Sequence, residues 1–302
     1  MTVTPQIVDV DYVYLILEGY VTYEPKKTTR TSQQITELVR QGVITFCNAN
    51  LNTFNSTFVV GNLIQYTQNL DKSIVAIDYD LYLQKRIIPT LGVTRDYKIK
   101  FGNQLENGLS REALVISPSF GQYDSTGNYY STVYFEVSPD TSTNVDSITL
   151  VSGGSGYTSP TISISGDGTG AKATATVENG IITGITITSG GANYTQAIVT
   201  ISDSTGSGAS AVAVLRGDYG TLRTYYYVNG VKNILTQNAG TVDYSTGTVT
   251  LTSFSPTVIN NTDGIMTVNG YAMERTVSST YDRIITLDSG DAAAVSINTT
   301  AK

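Results

Sequence analysis

The chain is 302 residues long, carries 25 Asp and Glu against 18 Lys and Arg for a net charge of −7, and has one Cys and no His. Without histidine the commonest general acid–base and the commonest transition-metal ligand are missing, and one cysteine excludes an intramolecular disulfide or a thiolate cluster. A charged fraction of 14% with 21 Tyr and 28 Gly indicates a β-rich, turn-rich protein, long enough for two or three domains.

No basic, apolar and small-residue signal pattern opens the sequence, and no apolar run approaches the ~18–20 residues that span a bilayer. Synthesis in a cytoplasm without a signal peptide, and no membrane partner, are therefore expected. Charge is uneven: 11 basic and 10 acidic residues lie up to Arg111, against 7 and 15 beyond it. Such an acidic second half lacks the clustered Lys and Arg of a nucleic-acid platform.

VDYVYLILEGYVTY (10–23) alternates as a long strand, with Val13, Leu15, Leu17, Val21 and Tyr23 on one face. Pro25 and the basic KKTTR end it. Thr31 and Gln34 form a capping box for a helix whose apolar stripe is Ile35, Leu38, Val39, Val43, Phe46 and Cys47. Cys47 on that stripe reads as a buried structural thiol. A second helix is predicted over about 57–69, with Val59, Val60, Leu63, Ile64 and Leu70 inward, then strands over 73–86 and 94–101. TVYFEVS (132–138), LRTYYYVNGVKNIL (222–235) and GTVDYSTGTVTLT (240–252) read as strands and hairpins, turning at Asn229-Gly230 and Ser245-Thr246-Gly247.

Between these lie two near-copies, ITLVSGGSGYTSPTISIS (148–165) and ITITSGGANYTQAIVTIS (185–202), at a period of about 37–38 residues. Gly153, Gly154 and Tyr157 recur as Gly190, Gly191 and Tyr194, a turn signature assigned to structure. No GxxxxGK[ST] loop occurs, and the carboxylate position of a calcium β-roll repeat holds Thr158. Asp167 and Asp203 stand isolated, short of the six to eight oxygens that calcium takes. Glycosidases use paired carboxylates, and the chain has two other acidic pairs. Asp288 and Asp291 read as a turn, and Asp78 with Asp80 as a strand face or partner contact. Of Tyr225, Tyr226 and Tyr227, Tyr226 faces opposite its neighbours, and Tyr129 and Tyr130 alternate likewise. Tyr226, Tyr130, Asp78 and Asp80 are the partner-interface candidates.

The predicted fold class is α+β, mainly β. It comprises an α+β domain with two helices (1–103), an antiparallel β domain (104–144 and 217–302), and an inserted two-repeat Gly/Thr-rich β module (145–216). No catalytic residue, cofactor, metal or small-molecule substrate is assigned.

The order of IVDVDYVYLILEGYVTYEPKKTTRT, ANLNTFNSTFVVGNLIQ, the DKSI…RIIPTL…YKIKFGNQL run, and the closing GTVDYSTGTVTL and DRIITLDSGDAAAVSI resembles a known family. It is similar to the C-terminal half of the baseplate wedge protein of T-even-type contractile-tailed phages, over most of 5–144 and 217–302. The repeats look like cassettes in structural proteins of cyanobacterial myophages. The family's large N-terminal half has no counterpart here, which implies a fragment or a short relative. The resemblance implies a non-enzymatic virion protein of the tail baseplate that pairs with itself as a homodimer and with other wedge proteins in the inner ring. The rival expectation is a tail-fibre or adhesin module whose Gly/Tyr repeats bind host glycans. A third is a cell-wall hydrolase of the tail tip.

Overall fold

A computed structural model describes residues 10–107, 114–138, 144–194, 196–217, 219–280 and 282–302. The chain opens with β1 (Asp11–Tyr23), a 3-10 turn (Pro25–Lys27), α1 (Ser32–Asn50), β2 (Thr57–Val59), α2 (Val60–Gln68), β3 (Ile74–Ile87) and β4 (Arg95–Lys100). Next come β5 (Leu114–Ser117), β6 (Phe120–Tyr123), β7 (Tyr129–Ser138), and then β8 (Asn144–Ser155), β9 (Thr161–Gly166) and β10 (Thr169–Glu178). The second repeat supplies β11 (Ile181–Ala192), β12 (Ala197–Ser202) and β13 (Ser207–Arg216). The last third gives β14 (Tyr219–Val228), β15 (Val231–Asp243), β16 (Thr248–Phe254), β17 (Val258–Ile259), β18 (Met266–Tyr271), β19 (Thr276–Ser278), β20 (Arg283–Thr286) and β21 (Val295–Ala301). The fold is α+β and mostly β.

In β1 the alternation places Val13, Leu15, Leu17, Val21 and Tyr23 in the core. The Thr31 hydroxyl accepts the Gln34 amide at 3.3 Å while the Gln34 side chain accepts the Thr31 amide at 2.9 Å, closing the capping box of α1. From that helix Ile35, Val39, Val43 and Cys47 are buried, with Leu38 and Phe46 half-buried. Burial pushes the Cys47 thiol up to about 12. Ellman's reagent should therefore find no fast-reacting thiol in the native protein and one per chain after denaturation; a fast native reaction would contradict the packing.

The second helix starts later than its periodicity predicts. Residues 57–59 instead pair with β19, Phe58 opposite Val277, and Phe58 is 1% exposed there. A β-branched pair flanking a buried aromatic suits a pleated edge better than a helix turn.

A six-stranded sheet has the order β20-β1-β3-β18-β5, with β21 also on β1, and a seven-stranded sheet has the order β17-β6-β7-β14-β15-β16-β4. Strands from 1–103 and from 217–302 thus share both sheets, so residue 103 does not divide one sheet from the other. The physical reason is that β1 and β3 form only a two-stranded ribbon, which β18 and the C-terminal strands complete. Nor is the six-stranded sheet purely antiparallel, since β20 and β21 run parallel to β1, one after the other along the same edge. Side chains of both helices and both sheets join one buried cluster.

Among the described residues strands β8–β13 pair only among themselves, and each ladder crosses between the repeats: β8 with β13, β9 with β12, β10 with β11. With β11 beside β8, β12 beside β13 and β10 beside β9, the six strands form a closed ring. It has pseudo-two-fold symmetry, as register shows: Gly153 opposes Ala209 in one ladder, and Gly190 opposes Ala171 in the other. Val145, Ile148 and Tyr194 are buried at its centre, packed by Ile162, Ile164, Ile185 and Val199.

Three pairs of glycines have matched roles in this ring. A Cβ on Gly153 would stand 2.5 Å from the Ile182 carbonyl oxygen, and one on Gly190 would stand 2.9 Å from that of Val145. The first strands of the two repeats therefore touch backbone to backbone. Gly154 and Gly191 adopt φ of 60° and 68°, the left-handed region open to glycine. The Tyr157 and Tyr194 rings lie under Gly206 and Gly168, where a Cβ would come within 2.4 Å of either ring.

Candidate functional site

Two tyrosine-rich surfaces collect the partner-interface candidates. The first is the face of the six-stranded sheet turned away from the core. Because side chains alternate on β3, Asp78 and Asp80 project there together. Asp80 accepts from the Tyr271 hydroxyl at 2.7 Å and from the Tyr20 hydroxyl at 3.3 Å. Asp78 pairs with Arg275, whose hydrogen bond is the main reason its carboxyl titrates below the usual range. The Tyr82 and Tyr271 rings meet edge to face at 4.9 Å.

Along the same face Arg86 uses its whole guanidinium. It lies 4.1 Å over the Tyr14 ring, donates to Asp288 at 2.7 Å and Asp291 at 3.1 Å, and gives its Nε–H to Gln84 at 2.8 Å. Asp288 and Asp291 also accept backbone amides of their own turn, from Gly290 and Ala293. They fix the loop between β20 and β21. Tyr12 and Tyr20 remain 41% and 45% exposed, so amphipathic rings face solvent on this sheet.

The second surface is where the β6–β7 and β14–β15 hairpins project. The β14–β15 turn is Asn229-Gly230, with φ of 51° and 79° as a type I′ turn needs. Tyr225 and Tyr227 share one side with Tyr134, which stacks on Tyr225 at 5.3 Å. Tyr226 takes the other side. Simple alternation would put Tyr130 beside Tyr134. A register shift opposite Phe120–Gln122 places an extra residue in β7, and that bulge turns Tyr130 over to Tyr226, 4.4 Å between ring centroids. The hydrogen bond with Tyr226, then desolvation, pushes the Tyr130 hydroxyl up to about 12. On the opposite side Glu136 accepts from Arg223 at 2.6 Å and Lys232 at 2.5 Å, and Lys232 lies over the Tyr225 ring. Tyr123, Tyr129 and Tyr227 are each about half exposed, at 56%, 48% and 53%.

The repeat residues sit elsewhere, inside the six-stranded ring. Tyr157 and Tyr194 are 4% and 1% exposed, and their hydroxyls accept the Ala209 and Ala171 amides at 3.0 and 3.4 Å. No ring face is left to stack on a sugar, which removes the physical basis of the glycan-binding expectation. Asp203 and Asp167, isolated in sequence, cap turns across the pseudo-two-fold axis. Asp203 accepts amides from Thr158, Ser159, Thr205 and Gly206, and Asp167 accepts that of Gln196. Among the described residues no three His, Cys, Asp or Glu side chains are grouped as a metal site, and no helix is long and apolar enough to cross a membrane.

Sequence reasoning missed the Lys85–Asp11–Arg283 cluster. Lys85 and Arg283 are 5% and 6% exposed, and both reach the Asp11 carboxylate. Desolvation lowers the Lys85 pKa against the pull of Asp11. Only the pairing of β20 beside β1, which sets Arg283 opposite Asp11, brings the three together.

Residues 11–86 match a family described as baseplate structural protein gp6, C-terminal domain III. The matched span runs from the start of β1 almost to the end of β3. It includes both helices, Asp78 and Asp80, and excludes Tyr130, Tyr226 and β8–β13. No curated protein matches the sequence. The match supports a structural role in a phage tail baseplate.

Proposed function

We propose that this chain is a wedge component of the baseplate of a contractile phage tail. It acts without catalysis, through homodimeric contacts and contacts with other wedge proteins in the inner ring of the virion. The match over 11–86 carries this reading. The face that this segment turns to solvent supports it: Tyr12, Tyr20 and Tyr82 are anchors that keep an apolar body and a polar tip, as interface aromatics do. We assign the homodimer to this face, and contacts with other wedge proteins to the Tyr130–Tyr226 hairpins.

Light scattering is expected to give a dimer for the intact chain and for one lacking 144–216. A Tyr20→Ala variant should weaken that dimer by about 2 kcal/mol, or ~30-fold, whereas Tyr226→Ala should leave it within about twofold. Monomers of both chains at about 100 µM would refute the dimer, and a loss confined to Tyr226→Ala would move it to the hairpins.

A further inference from the structure

A third surface uses none of these tyrosines. The KKTTR segment after β1 and the turn before β3 face each other across a cleft of about 580 Å³, lined by Lys26, Lys27, Thr29, Arg30, Asp71 and Lys72 among others. Four of the chain's 18 cationic side chains thus meet in one corner of a molecule whose net charge is −7.

The local carboxylates are already committed. Asp71 is 7% exposed and accepts Arg30 at 2.6 Å and Thr28 at 3.5 Å on one oxygen, and the Ser73 amide at 2.9 Å on the other. Glu24 pairs with Lys27 at 3.0 Å. Lys26 and Lys72 are exposed and have no carboxylate partner among the described residues, and Arg30 keeps its other guanidinium donors. Asp71 thus acts as a brace that holds Arg30 at the rim, leaving three cationic groups turned to the cleft.

We infer that this cleft docks a carboxylate-rich segment of a neighbouring protein. Charge complementarity selects an acidic occupant, and the lining selects protein over nucleic acid. Among the described residues no aromatic side chain lines the cleft to stack a base, and the cations form a short cluster beside two carboxylates instead of a row that tracks a phosphate backbone. The Thr29 hydroxyl adds a neutral donor suited to a carboxylate oxygen.

The test uses the full chain and a fluorescein-labelled hexaglutamate peptide, read by fluorescence anisotropy at about 30 mM salt and again at about 300 mM. Binding should appear at low salt and fall steeply at high salt. A Lys26→Glu, Lys72→Glu double variant should lose about 10-fold in affinity, and a Lys98→Glu, Lys100→Glu variant with the same charge change on β4 less than about twofold. All four lysines are exposed, so both variants should melt with the parent. Absence of low-salt binding, or equal losses in the two variants, would reduce the corner to a solvated basic patch. Tighter binding of an oligothymidylate of equal charge, lost in the Lys26/Lys72 variant, would make it a nucleic-acid site and overturn the inference.

Discussion

Deleting one repeat should damage this protein more than deleting both. With 179–216 removed, β8, β9 and β10 lose β13, β12 and β11, which are their only ladder partners. Val145, Ile148, Ile162 and Ile164 would then face water, and burial of each such side chain is worth about 1.5–3 kcal/mol. A two-stranded ribbon is marginal by itself, and here not even a ribbon remains. With 144–216 removed, by contrast, β7 and β14 keep their ladder, Ser138 opposite Thr221. The single-repeat chain, held monomeric, should bind a hydrophobic dye and show no amide protection over 144–178. The chain lacking both should bind little dye and keep protection in β1, β3 and β14. Protected amides in the monomeric single-repeat chain would show that one repeat folds alone and would refute the cross-paired ring.

Within that ring the largest point effect is expected at Tyr194. Its side chain is 1% exposed in a core otherwise built from Ala, Val, Ile and Leu, so it is the main filler of its half. Tyr194→Ala should cost about 3–5 kcal/mol, enough to unfold 144–216 while the two large sheets stay folded. Tyr194→Phe keeps the ring and loses only the bond from the Ala171 amide, so about 1 kcal/mol is expected. Gly168→Ala should be costly for the converse reason. The added methyl would sit 2.4 Å from the Tyr194 ring, and overpacking of this kind costs about 1–3 kcal/mol. Hydrogen exchange, segment by segment under mild denaturant, separates local from global loss. If Tyr194→Ala leaves protection in β8–β13 unchanged, the ring does not carry that core.

Local chemistry was legible in the chain itself. The alternation of β1, the Thr31–Gln34 capping box, the Asn229-Gly230 turn and the burial of Cys47 depend on residues a few positions apart, where backbone period and side-chain capping decide the outcome. The two repeats, and the recurrence of Gly153, Gly154 and Tyr157 as Gly190, Gly191 and Tyr194, could also be read there. Non-local pairing could not. Phe58 belongs to a strand only because Val277 lies opposite it. Tyr130 turns toward Tyr226 only because β7 carries a bulge, and alternation counted along the sequence gives the wrong side.

Pairing across the chain follows the same rule: an edge strand has no preference for near neighbours in sequence, and β4 takes β16 as its partner. Most element types, the turn chemistry and the existence of a tandem repeat can thus be read along the chain, since each follows from short-range sterics and hydrogen bonding. Long-range contacts alone make the repeats interlock, let Asp203 and Asp167 cap across the axis, set Asp78 and Asp80 on a tyrosine-lined face, and bring Lys26 and Lys72 over one cleft. Those depend on which distant backbone edges satisfy one another, and residue pattern alone leaves that choice open.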